Sequence, residues 1–445
     1  MLTRVRALIG GHPRAVLAAL LLAGLLVRLP FAGIDTHLSN DIIVFTQWAR
    51  LVELRGLAAI YQDTSINYPP IPLYLLGGAA LLDTHLLRGG DTALIALIKL
   101  PGMLCDVATA ALLAWAVRRR GRRISLGVCA LYLFNPAVWY VSALWGQFEA
   151  VYTLPLVAGV VALERGRLVP AWVAAALALA TKPQSLALVP VLVGGSLARR
   201  GLRGLATGAG AALLVAVGLA LPWLWAGNLL DAASAYTNVR ASPWLDVSGY
   251  NLWYLLYGGQ VRGVPYSAQL PGVPVSDQVA GLALFAGLAG ATLVITWRRP
   301  GRDALAAAVL SLAMYVLLAQ VRERYLFPVP ALLLLAAAQH TPAPAARTRP
   351  RLRMPGLWWA YGLLSLTFLF NLLTIAPFTT ALGQNLIVTP AGTPFLVFRQ
   401  AVALLVAAVH LGILLALVVD LARTRPVRTA ALESATGPAQ AGTSG

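Results

Sequence analysis

The side chains best suited to chemistry come in short polar groups set between apolar runs. Asp41 opens the segment Ile42–Leu54, whose apolar residues recur at helical spacing, with Trp48 two turns on. The same loop closes in Asn67-Tyr68-Pro69-Pro70. Lys99 and Asp106 lie seven residues apart in one apolar run, so on a helix they share a face about 10 Å apart along the axis. Trp145-Gly146-Gln147-Phe148-Glu149, Lys182-Pro183-Gln184 and Arg322-Glu323-Arg324-Tyr325 are three further groups. Carboxylates, fixed cations and amides in one place offer proton transfer, stabilisation of an anion and orientation of a polar substrate. Each charge next to hydrocarbon needs a partner or a purpose.

Plainer roles exist for most of these residues. Ser39, Asn40 and Asp41 are all helix-capping types, so Asp41 also fits as an N-cap. Lys99 and Asp106 also suit structural pairing, with each other or with neighbouring helices. Glu323 fits a local ion pair between two arginines, Trp145 and Tyr325 fit interfacial aromatics, and Glu149 fits a solvated turn. Lys182-Pro183-Gln184 is harder to reduce, because a turn has no local need for both a cation and an amide.

The elements that must hold these groups are membrane helices. A 445-residue chain that is 59% hydrophobic and 11% charged cannot hide its apolar surface in a soluble core. A net charge of +18 would suggest nucleic acid only if the basic residues formed one patch, and here they fall in short clusters between apolar segments. Cys105 and Cys129 lie inside expected spans, so no disulfide framework or zinc site is expected. The predicted class is all-α and polytopic, with about twelve spans. They fall near 14–34, 93–117, 124–143, 150–163, 169–181, 184–197, 205–225, 278–297, 304–320, 326–339, 356–377 and 395–421.

Short cytoplasmic loops collect Lys and Arg. Arg118–Arg123, Arg165 and Arg167, Arg199–Arg203, Arg298–Arg302, Arg347–Arg353 and Arg423–Arg428 all fall on one side of this topology, with both termini. Asp41, Glu149 and Glu323 fall on the other, outer side. Two outer segments, 35–92 and 226–277, are too long for simple turns. In the first, Ile42–Leu54 and Pro72–Leu82 read as amphipathic helices lying at the interface. The expected organisation is a transmembrane core over 1–338, a Pro-rich cytoplasmic linker over 339–355, a helix pair over 356–422 and a disordered tail over 423–445.

Asp41, Trp48 and Asn67-Tyr68-Pro69-Pro70 resemble the first outer loop of the dolichyl-phosphate-glucose-dependent glucosyltransferases, which are multi-spanning enzymes of the GT-C type. The Lys99/Asp106 span, Trp145-Gly146-Gln147 and Lys182-Pro183-Gln184 are similar to bacterial relatives of the second mannosyltransferase of GPI-anchor assembly. Arg322-Glu323-Arg324-Tyr325 resembles that group's His-Glu-Arg-Tyr, with Arg322 in place of His, and Glu149 stands where Asp is common.

The resemblance implies a GT-C-like fold in a bacterial cell membrane. It implies inverting transfer of a hexose, mannose ahead of glucose or arabinose, from a polyprenyl-phosphate carrier to a glycan, lipid or protein acceptor on the outer face. Asp41 would be the base, while Lys182, Arg322 and Arg324 would bind the donor phosphate. Trp48, Tyr68, Lys99, Asp106, Gln147, Glu149, Gln184, Glu323 and Tyr325 would orient substrates. Membrane lipid is the expected surrounding and nucleic acid is not a partner. No metal or other cofactor is expected, the lipid-linked sugar being a substrate. The alternative is a glycolipid transporter or flippase.

Overall fold

The computed structural model describes residues 13–36, 38–63, 66–237, 245, 248–261, 263–270, 272, 274–341, 356–375 and 394–423. Most of the expected linker and tail lies outside these residues. The described chain is helical, with no strand. In order the helices are α1 (Pro13–Arg28), α2 (Asp41–Arg55), α3 (Pro70–Leu82), α4 (Gly90–Ala116), α5 (Arg122–Leu133), α6 (Pro136–Trp139), α7 (Glu149–Glu164) and α8 (Leu168–Leu179). There follow α9 (Val189–Trp225), α10 (Leu229–Thr237), α11 (Leu252–Leu256), α12 (Asp277–Arg298), α13 (Asp303–Leu317), α14 (Pro328–His340), α15 (Gly356–Ile375) and α16 (Pro394–Arg423).

Seven of the helical stretches are long and apolar enough to cross a membrane, or eight if the bent pair Arg122–Leu133 and Pro136–Trp145 counts as one. This is compatible with an integral membrane protein. Each expected span coincides with a helix, but α7, α8, α13 and α14 have 16, 12, 15 and 13 residues and fall short of bilayer length. Nearly every residue of α13 and α14 is buried, the pattern of helices enclosed on all sides by others.

Helix α9 is two helices. Gly201 has φ 58° and ψ −152°, which breaks the helical path. Trp172 of α8 touches both halves: its Nε1 donates to Ser196 Oγ at 3.0 Å, and a Cβ on Gly208 would collide with its ring. A Cβ on Gly204 would lie 3.3 Å from Ser196 O, although a straight helix separates those positions by about 12 Å. The chain therefore doubles back at Gly201, between the two runs that hydropathy separates.

Contacts sort the bundle into two ends. At one, Arg120 reaches Thr341 O, Arg199 pairs with Asp303 at 2.6 Å, and Arg302 reaches Asp420 O. Glu164 there accepts from Ala304 N and Gln339 Nε2. This arginine end stands opposite the end that carries Asp41, Trp145, Glu149, Lys182 and Arg324.

The expected interfacial helix Pro72–Leu82 is longer than its hydropathy suggests. It starts at Pro70 and continues as a π-turn over Asp83–Leu87, and the eighteen residues meet the length and polarity of a span. Its course argues against a crossing. Ile71 N donates to Ala180 O beside Lys182, and Asp83 binds Arg50 at 2.6 Å and Gly89 N at 3.1 Å. Helix α4 then runs from Gly90 past Lys99, at the level of the Asp41 group, to Ala116 at the arginine end. Both ends of α3 thus stay on the Asp41 side.

Candidate functional site

Asp41 is the first residue of α2, where the unpaired N–H groups of a helix start favour a negative charge. It does not act as a cap: Asn40 holds that position, without a side-chain bond. The carboxylate instead reaches across the fold. Its Oδ2 accepts from Ser39 Oγ at 2.7 Å, Trp145 Nε1 at 3.1 Å and Gln147 Nε2 at 2.6 Å, with Arg324 Nη2 at 3.8 Å. Among the described residues Oδ1 accepts no hydrogen bond, and the side chain is 30% exposed. Burial pushes the carboxyl up, but Arg324, the Ser39 hydroxyl, Arg322 and Lys182 outweigh it and hold Asp41 below the usual carboxylate range.

A charge network lies behind Asp41. Glu149, fully buried at the start of α7, accepts from Lys182 Nζ at 2.5 Å through Oε1. Arg324 Nε lies 3.3 Å from the same oxygen, near enough for attraction but without the alignment of a hydrogen bond. Arg324 also faces Glu323 at 3.4 Å, and Glu323 accepts from the Ser248 hydroxyl. Arg322 is exposed and, among the described residues, makes no ion pair. It is the cation of the group most open to a ligand. Among the described residues, the buried atoms Gln147 Oε1 and Glu149 Oε2 lack hydrogen-bond partners, so acceptor capacity is held ready beside Asp41, and Gln184 Oε1, next but one to Lys182 in the chain, is buried without a partner as well.

Aromatic side chains wall the group. Phe45 packs against Trp48, Tyr68 and Phe148 with ring centroids 5.9, 5.5 and 5.1 Å apart. Lys182 Nζ sits 5.2 Å from the Tyr68 ring and Arg324 sits 5.1 Å from the Trp145 ring. Trp48 and Tyr68 therefore contribute shape more than polar contact. Tyr325 is half-buried against the main core.

Two expected substrate-orienting residues do not come to this group. Lys99 is buried with its ammonium among four backbone carbonyls. Asp106 is fully buried, with Arg28 Nε at 3.1 Å, Ser142 Oγ at 2.5 Å and Tyr132 OH at 3.4 Å. Nor do the two pair with each other. Their seven-residue spacing separates them along α4, and each finds partners from other elements.

Other contributors escaped the sequence reading. Ser248 stands in a long loop with no motif around it. Asn371 of α15 grips that loop through Ser248 O and Tyr250 N, both at 3.0 Å, and His410 of α16 bonds Tyr250 O at 2.9 Å. The α15–α16 pair, which hydropathy sets apart from the core, is thereby stitched to the back of the site.

Beside Lys182 an apolar cleft of about 410 Å³ opens between α8, the second half of α9, and α10. Pro70, Trp172, Ala176, Ser185, Leu213 and Tyr236 are among its lining residues. Among the described residues no group of three or more His, Cys, Asp or Glu side chains is placed to hold a metal ion. No known family model matches the chain, and no curated protein matches it in sequence.

Proposed function

We propose that this protein is an inverting glycosyltransferase of the GT-C type. It moves a hexose, mannose first among the candidates, from a polyprenyl-phosphate carrier to an acceptor hydroxyl. The apolar helices lie in a bacterial cell membrane, the arginine end faces the cytoplasm, and the Asp41 end is outside. An outer site has no access to cytosolic nucleotide sugars, which a lipid-borne donor supplies.

Asp41 carries the reading: a carboxylate with one oxygen fixed by three donors, the other open, and an arginine 3.8 Å away. In the proposed step Oδ1 takes the proton of the acceptor hydroxyl while its oxygen attacks the anomeric carbon. The bond from that carbon to the phosphate oxygen breaks on the opposite face, and its electron pair leaves on the polyprenyl phosphate. Arg322 and Arg324 stabilise that charge. Lys182, spent on Glu149, keeps the network neutral and fixed. Gln147 and Gln184 orient the sugar, and the cleft beside Lys182 takes the carrier's first isoprene units.

The transporter alternative draws its strength from charge deep in the bundle. Asp106, the deepest of the charges read from the sequence, is closed off by Arg28, Ser142 and Tyr132.

The test is sugar transfer from radiolabelled polyprenyl-phosphate mannose in proteoliposomes, with membrane lipids and glycans as acceptors. Wild-type protein is expected to label an acceptor, and Asp41→Asn to lower turnover by roughly 10²–10⁴. Unchanged turnover in Asp41→Asn would remove the base. Inert wild-type protein with mannose, glucose and arabinose donors alike would remove the enzyme class.

A further inference from the structure

The Lys99 ammonium has an unusual set of partners. Nζ lies 3.2 Å from Phe31 O, 2.7 Å from Ile34 O, 3.1 Å from Ala143 O and 2.9 Å from Leu144 O. Phe31 ends the 3₁₀ turn that follows α1, and Ala143 and Leu144 belong to the π-turn Tyr140–Trp145. Carbonyls at such ends lack partners within their own helix and carry the negative pole of its dipole. An ammonium has three N–H donors, so four oxygens surround it much as they would a bound monovalent cation.

The two segments joined here lead straight into the site. From Ile34 the chain runs seven residues to Asp41, and from Leu144 it passes through Trp145 and Gly146 to Gln147. Trp145 and Gln147 are the residues whose side-chain N–H groups fix Asp41 Oδ2. Thr36 Oγ1 adds a second tie, donating to Leu144 O at 2.7 Å. The packing leaves no slack: Gly146 has φ 76°, and a Cβ there would meet Ile42 Cδ1 at 2.6 Å and Lys99 Cγ at 2.8 Å.

We infer that Lys99 is a tethered cation that sets the spacing between the Asp41 segment and the Trp145–Gln147 turn, a positioning residue that never touches substrate. The catalytic arm of this inference rests on the glycosyltransferase reading. The structural arm does not.

Both arms use the full-length protein. Lys99→Met keeps the stem and removes the cation. A double-mutant cycle combines it with Trp145→Phe, which removes the indole donor, and reads the dodecyl sulfate concentration that unfolds each variant in mild-detergent micelles. If Lys99 aims Trp145 at Asp41, the destabilisation caused by Trp145→Phe shrinks in the Lys99→Met background. Strict additivity overturns the inference, whatever reaction the protein runs. In the transfer assay, below the unfolding midpoint, Lys99→Met is expected to lower kcat about 100-fold with donor KM unchanged, and Lys99→Arg to recover part of it. A raised KM with intact kcat would make Lys99 a binding residue and overturn the positioning role. Inert wild-type protein alongside a coupled cycle would refute the enzyme and keep the tether.

Discussion

Replacing Lys182 by methionine is the sharpest test of how the charge network is held. Lys182 and Glu149 are 6% and 0% exposed and 2.5 Å apart, so the variant strands a buried carboxylate. Breaking such a pair destabilises by about 3–5 kcal/mol. Glu149 retains Arg324 at 3.3 Å, which puts Lys182→Met near about 3 kcal/mol. Glu149→Gln is the harsher change because it takes the shared carboxylate from two cations at once, which places it near about 5 kcal/mol. The double variant removes the pair together and should fall well short of the sum, with a coupling of about 1–3 kcal/mol. Unfolding by dodecyl sulfate in mild-detergent micelles measures all three. A cost for Lys182→Met below about 1 kcal/mol, the range of solvated pairs, would refute the buried-pair account. So would additivity within about 0.5 kcal/mol.

Further outcomes follow from the site. The base proposed at Asp41 works only when ionised, and Asp41 is held below the usual carboxylate range, so kcat/KM should persist into acid and fall only as pH drops through that lowered value. Arg324→Gln takes away the strongest lowering influence while burial still acts upward, so the acid limb should move to higher pH in the same profile. Gly146→Ala, at φ 76° and with two contacts under 3 Å, adds collision to backbone strain and should destabilise by about 2–5 kcal/mol in the dodecyl sulfate titration and depress transfer. Alanine at Gly90, at φ 67° with open space around it, should cost only about 1–2 kcal/mol, and it separates backbone strain from collision. Arg322→Ala should raise donor KM about tenfold by the loss of one charge-assisted phosphate contact, and leave the unfolding midpoint unchanged.

Hydropathy was enough to read the long apolar helices, though not α10 and α11 in the second long loop. The break between the two runs of α9 is written in Gly201 and the arginines around it, and Asp41 stands out as an acid opening an amphipathic segment beside capping residues. Partnership was not legible. Nothing local in the sequence ties Asp106 to Arg28, 78 residues away, or Lys99 to carbonyls of two other segments. Backbone oxygens leave no trace in residue identity, so a lysine that satisfies them looks the same as one awaiting a ligand. Ser248 and Asn371 were invisible for a related reason: a serine in a loop and an asparagine in an apolar helix acquire meaning only when the fold brings them to Glu323 and Tyr250.

Leu213 both lines the apolar cleft and is 64% exposed, so the cleft is open along that flank. On the proposed function, a lipid-borne ligand would reach it sideways, along the plane of the bilayer. What governs its capture is then its mole fraction among neighbouring lipids: adding bilayer dilutes it, and adding buffer does not. Because the bilayer already confines and aligns such a molecule, little of its freedom is left to lose on entering the cleft. On the proposed function, weak contacts along the cleft would therefore suffice, and a spent polyprenyl carrier would slip back into the bilayer before the next one arrives.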